Sequence, residues 1–208
     1  MKKEITMTPR VSATHPSNIN SSASDPLQTD LEVAEVKMTN GTSKNWLKPE
    51  FENIPKDLQA QPWAVWIAEP RPNNPSKFNK APRSPVTGGK VGADKPELFG
   101  TFEEAKAAYA TGKYTGIGVL LTGNGIVGVD IDDVKETFAD KPEIKKWVAT
   151  AANAGAHSEK SPSGTGLRLF MLGKLPAKGR KVGHLEIYDD ARFLTVTGNL
   201  HPRKKVSD

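Results

Sequence analysis

The stretch Gly125-Ile-Val-Gly-Val-Asp-Ile-Asp-Asp133 constrains this chain more than any other, because an apolar run ends in two acids separated by one residue. On a β-strand successive side chains alternate faces, so Asp130 and Asp132 point one way while Val129 and Ile131 point into a core. Carboxylates at i and i+2 stand roughly 6–7 Å apart at their Cα atoms, a spacing suited to a pair of divalent cations held about 4 Å apart. The same residues also read more plainly, as a strand with polar ends in which Asp132 or Asp133 caps a helical turn through Val134 to Phe138. Both readings predict a strand with one apolar face, and they differ in what the other face does.

The remaining chain limits the classes to consider. With 208 residues and 36% hydrophobic content there is enough for one domain of ordinary size plus a tail. The absence of cysteine excludes disulfides and thiolate zinc sites, and it fits a reducing compartment. No apolar run follows the lysines of Met1-Lys-Lys-Glu4, and no stretch approaches the roughly 20 apolar residues of a membrane span, so a soluble, cytoplasmic protein without membrane contact is expected. A net charge of +5 and a pI near 9.3 favour a polyanionic partner.

Residues 1–45, rich in Ser, Thr, Asn and Pro, lack the apolar surface to offset ordering entropy and are expected to be a disordered tail. Order is expected over 46–203, with a short C-terminal tail at 204–208. Ile54 to Leu58 reads as a helical approach to the strand Pro62-Trp-Ala-Val-Trp-Ile-Ala68. Arg71 to Val91 reads as a proline-stiffened basic loop whose Lys77, Lys80, Arg83 and Lys90 either grip phosphates or are simply solvated. Thr101-Phe-Glu-Glu104 is a capping box opening a helix to about Ala110. Gly116 to Leu121 is a strand, and Thr122-Gly-Asn-Gly125 reads as a hairpin turn that would make it the antiparallel neighbour of the acid-bearing strand.

Beyond Asp133 the period changes, and Pro142 to Ala152 is expected to be a helix with Ile144, Trp147 and Val148 inward. Ala156 to Gly166 reads as a polar loop. Its Ser161-Pro-Ser163-Gly164-Thr-Gly166 end exposes backbone donors able to hold phosphate oxygens, without the spacing of the Walker or dinucleotide fingerprints. The strand Leu167 to Leu172 follows, then a basic linker from Gly173 to Gly183 carrying Lys174, Lys178, Arg180 and Lys181. His184 to Asp190 and Arg192 to Gly198 are the last strands. In the former, Leu185 and Ile187 are inward, with Glu186 and Tyr188 on the opposite face. Interspersed strands and helices with antiparallel hairpins at both ends predict an α+β domain rather than a regular βαβ array.

The order of four segments is recognisable. Lys80-x-Pro-x-x-Pro-x-x-Gly88, Val129-Asp-Ile-Asp132, Ser161-Pro-Ser-Gly-Thr-Gly-Leu-Arg168, and Leu185-Glu-Ile-Tyr188 with Arg192-Phe193 and Thr195-Val-Thr-Gly198 together resemble a known domain. It is the N-terminal primase-polymerase (prim-pol) domain of phage and plasmid replication proteins, in the archaeo-eukaryotic primase superfamily. The resemblance spans roughly Trp63 to Gly198.

It implies an RRM-like, mainly antiparallel catalytic sheet with an associated N-terminal αβ unit, and template-directed nucleotidyl transfer on single-stranded DNA. Carried over by position, it makes Asp130, Asp132 and Glu186 the catalytic ligands of two Mg²⁺ or Mn²⁺ ions. Ser161, Ser163, Gly164, Gly166 and Arg168 would bind the nucleoside triphosphate. Lys80, Arg83, Lys178, Arg180 and Lys181 are candidates for DNA or triphosphate phosphates. Family members often continue into a helicase, which makes a helicase domain or protein a candidate partner. Position 168 departs from the pattern, since the family commonly has His there; Arg keeps phosphate binding but stays protonated, so it cannot shuttle a proton near neutral pH. Two other classes compete: a DNA-binding module of a replication initiator with weak or no catalysis, and a metal-dependent nuclease, which the Ser/Gly loop and Arg168 disfavour.

Overall fold

The computed structural model describes residues 45–201, all within one compact unit. The tails expected at 1–45 and 204–208 lie outside the described residues apart from Asn45. A turn of 3₁₀ helix at Phe51–Asn53 and helix α1 (Lys56–Gln59) lead into strand β1 (Trp63–Arg71), as the bulky side chains of that region predict. β2 (Asn74–Arg83) folds back on β1, and helix α2 (Phe102–Ala110) follows. The capping box of α2 forms as read: the Glu104 amide donates to Thr101 Oγ1 at 3.2 Å, and the Thr101 amide donates to the Glu104 carboxylate at 2.7 Å.

Strands β3 (Gly116–Thr122) and β4 (Ile126–Ile131) come next, then helices α3 (Val134–Asp140) and α4 (Pro142–Asn153). The chain continues through β5 (His157–Lys160), β6 (Leu167–Leu172), β7 (Arg180–Val182), β8 (Leu185–Tyr188) and β9 (Asp190–Val196). They form two sheets, of order β2-β1-β3-β9 and β5-β6-β4-β8-β7, and every strand pair in them is antiparallel. The fold is α+β, with a first sheet carrying α1 and α2 and a second carrying α3 and α4. Among the described residues no helix is long and apolar enough to cross a membrane.

Four local expectations are corrected. β3 and β4 are not hairpin partners: β3 lies between β1 and β9, and β4 between β6 and β8, so the Thr122–Gly125 turn carries the chain from one sheet to the other. Turn chemistry bends the backbone but does not choose the ladder, and both strands are central ones whose two edges are already occupied. The basic stretch from Arg71 to Val91 is largely strand. Pro75 and Pro82 are tolerated because β2 is an edge strand, where a missing donor leaves no ladder partner unsatisfied. The polar run at 157–160 is β5 rather than loop, with His157, Ser158 and Glu159 buried, and the linker at 173–183 contributes the short edge strand β7.

The second sheet is two-faced. Val129, Ile131, Leu167 and Leu169 are buried with Val148 and Ala156, and Ile144, Phe138, Leu185 and Ile187 pack around them beneath the helices. Full burial of each such side chain is worth roughly 1.5–3 kcal/mol. The opposite face meets the first sheet, and Gly128 permits the approach: a Cβ there would stand 2.5 Å from Leu194 Cδ1 and 2.9 Å from Leu121 Cδ1. Beyond Gly128, on the same face, come Asp130 and then Asp132, so the strand passes from inter-sheet core to open acids within four residues.

At the far end of β9, Gly198 has φ +66°, and its amide donates to Glu159 Oε2 at 2.7 Å. A Cβ at Gly198 would stand 2.1 Å from the Glu50 carbonyl oxygen. Left-handed strain of about 1–2 kcal/mol and a steric cost of about 1–3 kcal/mol add, so Gly198→Ala is expected to destabilise the chain by about 2 kcal/mol or more. Urea denaturation monitored by tryptophan fluorescence checks this, and a loss within 0.5 kcal/mol, a value typical of about any exposed site, would contradict it.

Candidate active site

Cross-strand register builds the site. Glu159 of β5 faces Arg168 of β6, Arg168 faces Asp130 of β4, Asp130 faces Glu186 of β8, and Glu186 faces Lys181 of β7. Directly opposed residues share a face with Cβ atoms about 4.5–5.5 Å apart, so these five charged residues form a single row across the sheet. The apolar neighbours of Asp130, Arg168 and Glu186 on β4, β6 and β8 pack beneath α3 and α4, which places the row on the opposite face. Asp132, just past the end of β4, stands beside it, its amide donating to the His184 carbonyl at 2.9 Å.

Arg168 is the fixed point. Its side chain is 2% exposed, its Nη2 donates to Asp130 Oδ2 at 3.2 Å, and its Nη1 donates to Thr195 Oγ1 of β9. Glu186 is paired twice, accepting from Lys181 Nζ at one oxygen and from Arg192 Nη2 at the other. Arg192 also lies over the Tyr188 ring, its guanidinium carbon 4.6 Å from the ring centroid. Three buried polar atoms here have no hydrogen-bond partner: Asp130 Oδ1, Arg168 Nε and Arg192 Nε. A buried carboxylate oxygen without a donor suits a cation, and buried guanidinium N–H groups without an acceptor suit an anion.

Asp132 is exposed by surface area, yet the protein crowded around it raises its carboxyl above the ordinary range. Desolvation is the main cause and Asp130 the next, opposed by Lys80, Lys181 and Arg168. A raised native pKa means that the folded chain holds this proton more tightly than the unfolded one, so stability falls as pH rises through the interval above 3.8 and stays lower beyond it. Asp132→Asn is therefore expected to be more stable than the parent at pH 7 and to lose that advantage near pH 3. Paired urea midpoints at the two pH values check it; an equal difference at both would contradict it. The Lys181 ammonium is held above its ordinary range by its hydrogen bond to Glu186.

The sequence-predicted residues separate into two groups. Asp130, Asp132, Glu186, Arg168 and Lys181 converge, and Lys80 of β2 is close enough for its charge to act on Asp132. Arg83 lies three positions along β2 from Lys80 and instead pairs with Glu69 at 2.7 Å. Arg180 neighbours Ile187 on the helix side of the sheet, and Lys178 is exposed in the connection before β7.

Ser161 is buried, its Oγ accepting from the Gly166 amide at 3.0 Å and lying 3.1 Å from Ser163 Oγ, so the Ser/Gly loop closes on itself. Gly164 and Gly166 line a cavity of about 690 Å³ with Asp133, Lys135, Lys160 and His201, and none of Asp130, Asp132, Glu186 or Arg168 lines it. Its volume does not make it the better candidate, because no residue lining it carries a buried polar atom without a partner, whereas Asp130, Arg168 and Arg192 each do.

Asp133 starts α3 in a left-handed conformation and makes no capping bond with its side chain. Among the described residues no group of three or more His, Asp or Glu side chains is gathered as a metal-ligand set, and Glu186 is paired with Lys181 and Arg192. Asp130 and Asp132 fit a divalent cation through the orphaned Oδ1 and the accessible second carboxylate; Glu186, as paired, does not.

Sequence reasoning did not single out Glu159, Thr195 or Arg192 as site residues. Glu159 is fully buried, accepts from the Thr197 and Gly198 amides at 2.9 and 2.7 Å, and lies 3.0 Å from His157 Nε2. Only the β5–β6 register reveals it. Arg192 and Thr195 did sit in a recognised motif, whose alternation placed them on a strand without showing that the strand's edge meets the acids.

No family model matches the chain. Over 147 residues it is 29% identical to a protein named DNA Primase-polymerase from Nitratiruptor phage NrS-1, an alignment covering 66% of this chain. The chain spans about a fifth of that relative's length, since the match covers 19% of it. The acidic pair flanked by fixed cations, together with this similarity, supports a primase-polymerase domain in this chain.

Proposed function

We propose that this chain carries the catalytic domain of a phage or plasmid DNA primase-polymerase, a nucleotidyltransferase that extends a strand on single-stranded DNA from nucleoside triphosphates in the cytoplasm. The observation that carries the reading is the row of Arg168, Asp130, Glu186 and Lys181 with Asp132 beside it. It sets carboxylates for a divalent cation directly against cations for phosphate.

In the reaction the primer 3′-oxygen attacks the α-phosphorus, and the bond to the pyrophosphate oxygen breaks. Asp130 and Asp132 would hold Mg²⁺ or Mn²⁺, with Glu186 their cross-strand neighbour. Such an ion polarises phosphoryl oxygens and lowers the pKa of a bound hydroxyl. Arg168 and Arg192 each offer a buried Nε–H to a triphosphate oxygen, and Lys181 and Lys80 add charge where the pyrophosphate departs. Arg168 remains protonated throughout, so its part is binding and charge stabilisation rather than proton transfer. The Ser161 to Gly166 loop would shape the pocket from behind, and Lys178, Arg180 and Arg83 would extend the basic surface for template. A replicative helicase domain or protein is the proposed partner, on the strength of the resemblance alone.

One observation favours a second reading, a DNA-binding module with weak catalysis: both oxygens of Glu186 are occupied by Lys181 and Arg192. Primer synthesis and extension on single-stranded DNA with Mg²⁺ or Mn²⁺ separates the two. Metal-dependent product that disappears in Asp130→Ala/Asp132→Ala supports the enzyme. Salt-sensitive DNA binding without product from the folded parent supports the module, and a shortened primer would indicate a nuclease.

A further inference from the structure

Of the six carboxylate oxygens on Asp130, Asp132 and Glu186, three already accept from a cation: Asp130 Oδ2 from Arg168, and the two oxygens of Glu186 from Lys181 and Arg192. Three negative charges thus face three positive ones before any metal binds. The oxygens left for a metal are Asp130 Oδ1, which is buried and without a donor, and the accessible carboxylate of Asp132. They lie two positions apart at the end of β4 and can face one ion between them. A second divalent ion would bring two more positive charges beside a guanidinium that is 2% exposed, and of the three acids only the remaining Asp132 oxygen would be left to receive it.

Resting on the primase-polymerase reading, we infer that this chain holds a single divalent cation on Asp130 and Asp132, and that Arg168, Lys181 and Arg192 supply the positive charge that the family resemblance assigns to a second ion. The arginines are suited to that part. Each keeps a buried Nε–H without an acceptor, so each can take a phosphate oxygen while holding its carboxylate through another nitrogen. Arg168 is locked in place by Asp130 and Thr195. Lys181 and Arg192 are the accessible members, with side chains 54% and 41% exposed, so removing them is the change that returns Glu186 to the metal.

The test is titration of Mn²⁺ into the full chain without nucleotide, following the electron paramagnetic resonance signal of free Mn²⁺. The expected result is one ion per parent chain, none for Asp130→Asn/Asp132→Asn, and two for Lys181→Gln/Arg192→Gln with its circular-dichroism melt retained. Two ions on the parent, or none up to millimolar Mn²⁺, overturns the inference. A folded Lys181→Gln/Arg192→Gln variant that still binds one ion overturns the role given to those cations. If that variant unfolds, the parent's stoichiometry still decides the count. One ion on a chain that incorporates no nucleotide would sink the polymerase reading while leaving the count standing; two ions on an active chain would do the reverse.

Discussion

Asp130→Asn is expected to reduce nucleotide incorporation by at least about 100-fold while leaving the chain folded. Asparagine keeps the size of the side chain and an oxygen that can accept from Arg168 Nη2, so the β4–β6 contact survives. What disappears is the charge. The unpartnered Oδ1 is the best-prepared cation ligand of the row, and a neutral amide in its place leaves Arg168, 2% exposed, without a counter-ion. Metal-ion stabilisation of a transition state is worth several kcal/mol, and each 1.36 kcal/mol is about a factor of ten in rate. Single-turnover primer extension at saturating Mn²⁺, beside a thermal melt, measures both halves of the expectation. Activity within about tenfold of the parent, or a variant that fails to fold, would count against Asp130 as the centre of the site, since each 1.36 kcal/mol is about tenfold.

Arg168→Met is expected to cost about 3 kcal/mol of stability, a large share of the roughly 5–15 kcal/mol that holds a typical domain. Methionine fills much of the space but leaves Asp130, whose side chain is 15% exposed, without its cation, and leaves Thr195 Oγ1 without its donor. Removing one partner of a buried pair is costly chiefly because the other charge stays behind. The double variant Asp130→Asn/Arg168→Met should therefore recover part of the loss, giving a coupling energy of about 1 kcal/mol or more in a double-mutant cycle. Urea denaturation of the four chains supplies the cycle. Additive costs would mean that the 3.2 Å contact carries no energy of its own.

The two variants also separate the roles inside the row. Asp130→Asn should mainly lose activity, and Arg168→Met should lose both activity and stability, because the buried Arg168 joins Asp130 to Thr195 of β9. Arg168→His adds a third view. A titratable ring that restores or raises incorporation would show that the site can use proton transfer, whereas a loss would show that it depends on permanent charge.

The chain by itself determined the local events. Alternation placed Asp130 on one face and Val129 and Ile131 on the other; the Thr101 and Glu104 spacing started α2; and the change of period after Pro142 predicted α4. Each depends on residues within a turn or a strand of one another, so the relevant energies are written in short stretches. Tertiary structure decided the pairings. β3 and β4 look like a hairpin, yet each found other partners, because a central strand gains hydrogen bonds on both edges and a turn constrains only one. His157 to Lys160 reads as a loop because, besides His157, the groups that let Glu159 be buried are the amides of Thr197 and Gly198, 38 and 39 residues away. The acids of the site were legible as strand residues. Which cation each one meets was not, because cross-strand register and the edge of β9 bring Arg168, Lys181 and Arg192 to them, and desolvation of paired charges depends on neighbours that local pattern cannot specify.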